Sequence, residues 1–145
     1  MKDKPYKWGF KNYVRPGFTE QESSLGFGAQ IVIALTKTIQ KKPATIFCYN
    51  FFSSPELFYL LKVNYGEFSL GTIRSNRIRG AEMLSPDEKS MKKKQSGAFS
   101  QVVCDANKLV IVRWNDNKPV TLISSFVGSE PVQKIKRNYK EQKQN

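Results

Sequence analysis

Ala44-Thr45-Ile46-Phe47-Cys48-Tyr49-Asn50-Phe51-Phe52-Ser53-Ser54-Pro55-Glu56-Leu57-Phe58 sets out a strand, a turn and a helix start in direct succession. Ala44 to Tyr49 is a short, nearly continuous apolar run, the pattern of a strand covered on both faces. Ser53-Ser54-Pro55-Glu56 then supplies a hydroxyl cap, a proline suited to the first helical turn and an acid that answers the helix dipole. Leu57, Phe58, Leu60 and Leu61 give the apolar face of that helix, and Asn64-Tyr65-Gly66 ends it. Phe68 to Ile73 is the next strand. A strand returning after a helical crossover implies parallel pairing.

Upstream, Trp8-Gly9-Phe10-Lys11-Asn12-Tyr13-Val14 alternates as a half-buried strand, stopped by Pro16-Gly17. Phe18 to Ser24 is polar and acidic and reads as a loop. Beyond Leu25-Gly26-Phe27-Gly28, residues Ile31, Ala34, Leu35 and Ile39, widened by Val32 and Ile33, recur at helical spacing up to Lys41-Lys42, and Pro43 closes the helix. Downstream, Arg74 to Gly97 is polar and basic, with Ser85-Pro86-Asp87-Glu88 as the cap of a short helix. Three strand-like runs follow, Ala98 to Cys104, Leu109 to Trp114 and Pro119 to Phe126, separated by turn-rich Asp105–Lys108 and Asn115–Lys118. That spacing predicts an antiparallel meander. Residues 131–145 form a charged tail without an apolar stripe, and residues 1–130 read as one domain.

The 145 residues carry 24 Lys and Arg against 12 acidic residues, a formal charge of +12 that favours a polyanionic partner. No apolar run approaches the roughly 18 residues of a membrane span, so an intracellular protein without a membrane partner is expected. Lys134-Ile135-Lys136-Arg137 has the composition of a weak nuclear-import patch. With no histidine and only Cys48 and Cys104, neither a zinc site nor a Cys-His nucleophile pair is expected; both thiols read as buried small hydrophobes. Gly26-Phe27-Gly28 lacks the rest of any phosphate-loop fingerprint.

Several segments resemble the transposase core of the piggyBac family. Cys48-Tyr49-Asn50-Phe51-Phe52-Ser53-Ser54-Pro55 is similar to that family's D-N-F-F-T-S strand end, with Tyr49 standing where the family keeps a catalytic aspartate. Lys4 to Lys11 resembles its first core strand and Leu25 to Gly28 the start of its next helix. Leu70-Gly71-Thr72-Ile73-Arg74-Ser75-Asn76-Arg77 resembles its G-T-x-R-x-N-R segment, and Val112 to Val120 its V-R-W-x-D-N-K-P-V meander. The resemblance implies an RNase H-like α/β fold of the DDE transposase type: here a truncated mixed sheet with two crossover helices and a C-terminal antiparallel meander. It also implies three catalytic aspartates. Gly17 is nearest the place of the first, Tyr49 replaces the second, and the third belongs to a segment downstream of the meander, beyond Asn145. A phenol stays neutral well above pH 7 and cannot stand in for a carboxylate on Mg²⁺. Between the first strand and Leu25 the family carries further strands where this chain has only Phe18 to Ser24, which leaves a sheet edge open.

The expectation is therefore a domesticated, catalytically inactive transposase-derived domain with no catalytic residue, no metal, no cofactor and no small-molecule substrate. Its residual activity is non-sequence-specific, electrostatic DNA binding through Arg74, Asn76, Arg77, Arg79, Lys92, Lys93 and Lys94, whose donors suit phosphate. The alternative is a protein-interaction module that docks on a partner, or on itself, at the open sheet edge. Asp105 and Asp116 have turn duties, Glu56 a helix-dipole duty and Asn50 a cap or turn duty. Phe51 and Phe52 are expected to pack between helix and sheet rather than to stack on bases.

Overall fold

The computed structural model describes residues 17–80 and 86–131. The alternating run Trp8–Val14, the Lys134–Arg137 cluster and most of the charged tail lie outside them. The described elements run α1 (Glu20–Ser23), α2 (Phe27–Thr36), β1 (Thr45–Cys48), α3 (Pro55–Tyr65), β2 (Phe68–Thr72), a 3₁₀ turn (Ser75–Arg77), α4 (Glu88–Lys92), β3 (Phe99–Cys104), β4 (Leu109–Asn115) and β5 (Pro119–Ser124). The strands form one mixed sheet in the order β1-β2-β5-β4-β3. β1 and β2 pair in parallel, Thr45 opposite Phe68 and Cys48 opposite Gly71, across the α3 crossover. The meander β3-β4-β5 is antiparallel and joins the parallel pair through β2–β5, Leu70 opposite Ser124.

α3 follows its local signals closely. The Ser54 side chain accepts from the Leu57 N–H, Pro55 opens the first turn, and Gly66 ends the helix in the left-handed conformation at φ +64°. Leu57, Phe58, Leu60 and Leu61 are buried, each contributing about 2 kcal/mol relative to an exposed side chain. They share one cluster with Ala29, Val32 and Ile33 of α2 and with Cys48, Ile73, Leu109, Ile111 and Ile123 of the sheet, so both helices cover the same sheet face. On the opposite face Leu70, Val110, Val112, Trp114 and Leu122 line an open cleft of about 400 Å³, crossed by Val127 to Ser129.

Three sequence expectations need correction. α2 stops at Thr36, well before Pro43, and buries Gly28, Ala29, Val32, Ile33 and Thr36, leaving Leu35 in solvent. Ile31 and Val32 both carried the periodicity, so the apolar stripe is displaced by one residue from the one the sequence suggested. β1 is an edge of the described sheet rather than a strand covered on both faces: Thr45 and Phe47 are exposed. Phe18 to Ser24 is not a plain loop, since Thr19 and Glu22 form a reciprocal capping box that starts α1. Of the two thiols, Cys48 is buried and Cys104 only half-buried.

Glu22 ties three elements together. Its buried carboxylate accepts from the Thr19 N–H at 3.0 Å, from Lys37 Nζ at 2.9 Å and from the Tyr65 hydroxyl, linking α1 to the ends of α2 and α3. Burial pushes its pKa up, but the bonds from Tyr65, Lys37 and Thr19 outweigh that and hold it below the ordinary 4.5. A depressed carboxyl contributes stability that is present above its unfolded-state pKa and is lost as pH falls through its folded-state value. Glu22→Gln is therefore expected to lose about 1–2 kcal/mol at neutral pH, as for a hydrogen bond to a charged group. The gap from wild type, followed by urea unfolding, closes as pH is lowered past 4.5.

Candidate nucleic-acid interface

The carboxyl ends of the parallel strands β1 and β2 open into the two loops that carry the candidate residues. After Cys48 the chain turns tightly: the Tyr49 carbonyl accepts from Phe52 N–H at 2.9 Å, Ser53 N–H at 3.1 Å and the Ser53 hydroxyl at 3.1 Å. The turn fits only because its neighbours are glycines. A Cβ at Gly71 of β2 would stand 2.7 Å from Ser53 Oγ and closer still to the Cys48 carbonyl oxygen, and one at Gly28 of α2 would stand 3.0 Å from the Phe51 carbonyl oxygen. Tyr49 is the first residue past β1 and is exposed. The Phe52 ring packs beside the core and meets Phe51 edge-on at 5.1 Å. Phe51 rests against α2 but keeps much of its surface in solvent, so the expectation of a packed residue holds for Phe52 and only in part for Phe51. Burial raises the Cys48 thiol pKa to about 11, which leaves it protonated and unreactive at neutral pH.

Beyond β2 the basic loop is anchored at several points. Arg113 of β4 is buried and donates to the Thr121 hydroxyl at 3.3 Å, to the Ser75 hydroxyl at 3.3 Å and to the Pro86 carbonyl. Asn115, two residues on and facing the same way, donates to the Lys94 carbonyl at 2.7 Å. β4 thus buries alternate residues Leu109, Ile111, Arg113 and Asn115, apolar where it faces α3 and polar where it holds the loop. Asp87, within the capping stretch the sequence offered, caps α4 through the Ser90 N–H at 2.8 Å. The Ser90 hydrogen bonds hold the Asp87 carboxyl below its ordinary value.

Arg74, Asn76 and Arg79 are exposed around the 3₁₀ turn, and Lys92, Lys93 and Lys94 are exposed at the end of α4. Arg77 differs. One terminal nitrogen of its guanidinium donates to the carbonyls of Asn50 at 3.1 Å, Phe51 at 2.9 Å and Ser53 at 3.0 Å. The sequence grouped it with the phosphate contacts; the structure uses that nitrogen to clamp the turn after β1, which also satisfies three carbonyls beside the buried end of the strand. Arg77→Ala is expected to destabilise the fold by about 1–2 kcal/mol, read as a lower urea midpoint.

Gly17 lies nearest the place where the resemblance implies one catalytic aspartate, and Tyr49 at the place of another. The Gly17 carbonyl accepts from Lys37 Nζ at 2.7 Å at the carboxyl end of α2, whereas the turn after Tyr49 packs on Gly28 at its amino end. Gly17 also adopts φ +97°, where an aspartate would be strained. Among the described residues no group of three acidic, histidine or cysteine side chains is placed to hold a metal ion. Neither is there among them a helix long and apolar enough to cross a membrane.

The mixed five-stranded sheet with few helices is consistent with a truncated DDE transposase-type fold, as the structural neighbour below shows. The chain belongs to the Transposase IS4 family, whose model matches residues 2–145, and within it the chain derives from piggyBac transposases. It is 31% identical over 124 residues to human PiggyBac transposable element-derived protein 2, which covers 83% of this chain and 20% of that protein. It is 27% identical over 146 residues to human PiggyBac transposable element-derived protein 3, which covers 94% of this chain and 24% of that protein. A cryo-EM structure of a piggyBac transposase synaptic complex with hairpin DNA superimposes with TM-score 0.56 and 28% identity, over 70% of this chain and 21% of that one. The chain thus spans between a fifth and a quarter of the length of these two human relatives.

Proposed function

We propose that this chain is a catalytically inactive piggyBac-derived transposase domain that binds DNA without regard to sequence through the loop after β2. The observation that carries the loss of catalysis is Tyr49: it follows the strand end where the resembled family keeps an aspartate, and it lacks the carboxylate oxygens that Mg²⁺ prefers. DNA binding is supported by the net charge of +12, by the exposed Arg74, Arg79, Lys92, Lys93 and Lys94, and by the similarity to a transposase solved with DNA. Because Arg113 and Asn115 fix the loop to the sheet, these cations are presented on a positioned surface rather than on a free tail. Binding chromosomal DNA requires access to the nucleus, and the Lys134–Arg137 cluster is the segment whose composition suits import. The comparisons do not favour the interaction-module alternative.

The test is a titration of two unrelated duplexes. Equal affinities are expected, falling steeply with salt, with each neutralised phosphate adding about −0.9 to the slope of log K against log salt. Arg74→Ala with Arg79→Ala reduces the slope by about 2. No binding to either duplex at low salt would refute the DNA-binding half of the proposal.

A further inference from the structure

The turn after β1 exposes aromatic surface that the proposed duplex binding does not use. Tyr49 is 79% exposed and Phe51 49%, and Phe47, two residues before Tyr49, is 74% exposed. Rings this large are normally buried, and three in one short segment are a patch rather than a scatter. The Phe51 ring is backed by α2 at Gly28 and by the edge of Phe52, while Tyr49 and Phe47 border a cleft of about 300 Å³ that Ile31, Leu35, Ile39 and Ile46 also line.

Charge indicates what covers the patch. The Arg77 clamp on the carbonyls of Asn50, Phe51 and Ser53 brings the Ser75–Arg77 turn directly against the aromatic turn, with exposed Arg74 immediately before it; Arg79 instead borders a separate cleft with Pro55 and Val102 to Cys104. Among the described residues, the acids near this end include Glu56, which borders the same α2–α3 cleft as Phe51 and Arg77, Glu88, which accepts from the Ser75 hydroxyl, and Asp87, the cap of α4. Exposed rings flanked by arginines match a nucleic-acid strand whose bases are free to stack, and bases inside a duplex present no open face to a ring.

Resting on the DNA-binding function above, we infer that the turn after β1 is a platform for single-stranded DNA. Tyr49 and Phe51 stack on unpaired bases, and Arg74, beside the clamped turn, neutralises an adjoining phosphate. Replacement of a carboxylate by Tyr49 then does more than remove a metal ligand: it converts an anionic strand end, which repels a phosphate chain in the absence of metal, into a neutral stacking surface.

The experiment compares a fluorescein-labelled oligo-dT of about 15 nucleotides, near the upper site size of a single-strand-binding domain, with a duplex of equal length at low salt. Single strand is expected to bind more tightly. Tyr49→Ala weakens that binding about tenfold, the effect of losing one stacked base, and leaves duplex affinity unchanged, while Tyr49→Phe retains wild-type affinity. Tyr49 is exposed, so both variants are expected to melt with wild type, which the same samples check. If single strand and duplex bind equally and Tyr49→Ala changes neither, the platform is refuted and non-specific duplex binding stands. If neither probe binds, both are refuted.

Discussion

Gly71→Ala is expected to be the most damaging small substitution in the chain. The added methyl would stand 2.7 Å from Ser53 Oγ and overlap the Cys48 carbonyl oxygen, which is backbone in a paired strand and cannot swing aside as a flexible side chain would. Relief requires β1 to part from β2 or the Tyr49–Ser54 turn to lift, and the turn is itself held by three Arg77 hydrogen bonds and by Phe51 against Gly28. Overpacking of this kind costs about 3 kcal/mol, a large part of the roughly 5–15 kcal/mol that holds a domain together. In a chain of this size the melting temperature should fall by about 10 °C. A variant that melts with wild type would show that β1, the turn and β2 are not packed as described.

Arg113→Met is the second. The methionine fills similar volume but leaves the Pro86 carbonyl and the Ser75 and Thr121 hydroxyls without their donor in a buried setting. Stranded polar groups cost about 1–3 kcal/mol each, less wherever the loop lifts and lets water in. A net loss of about 3 kcal/mol is expected. The more telling result concerns binding. Arg113 is buried and cannot reach DNA, yet its loss frees the segment that carries Arg74, Arg79 and Lys92 to Lys94, so duplex affinity should drop although no exposed charge is removed. Unchanged affinity in a folded Arg113→Met protein would mean that the loop needs no anchoring to bind.

What the sequence disclosed depended on whether a local rule governed the segment. α3 is legible within a residue or two because Ser54, Pro55 and Gly66 are strongly favoured at helix ends, and the meander because turn residues punctuate regular alternation. The edge position of β1 was not legible: a short apolar run looks the same at the centre of a sheet and at its edge, and only pairing decides. α1 was missed although Thr19 and Glu22 spell a capping box, since an acidic stretch without apolar period reads as loop. At the site, the cationic residues were found by charge alone, which could not separate Arg77, committed to three carbonyls, from Arg74 and Arg79 in solvent. Arg113 and Asn115 were overlooked as anchors, but a signal existed. They fall on the inward parity of a strand whose earlier inward residues are Leu109 and Ile111, and a buried polar residue there demands a partner.

The claim on which the rest depends is that a strand end bearing Tyr49 holds DNA without cutting it. Labelled duplex and single strand, incubated with the purified protein and either Mg²⁺ or Mn²⁺ at neutral pH, then resolved on a denaturing gel, test it most directly. Both strands should remain at full length at protein concentrations that saturate binding. Metal-dependent shorter products that co-purify with the protein and vanish with chelator would contradict the account.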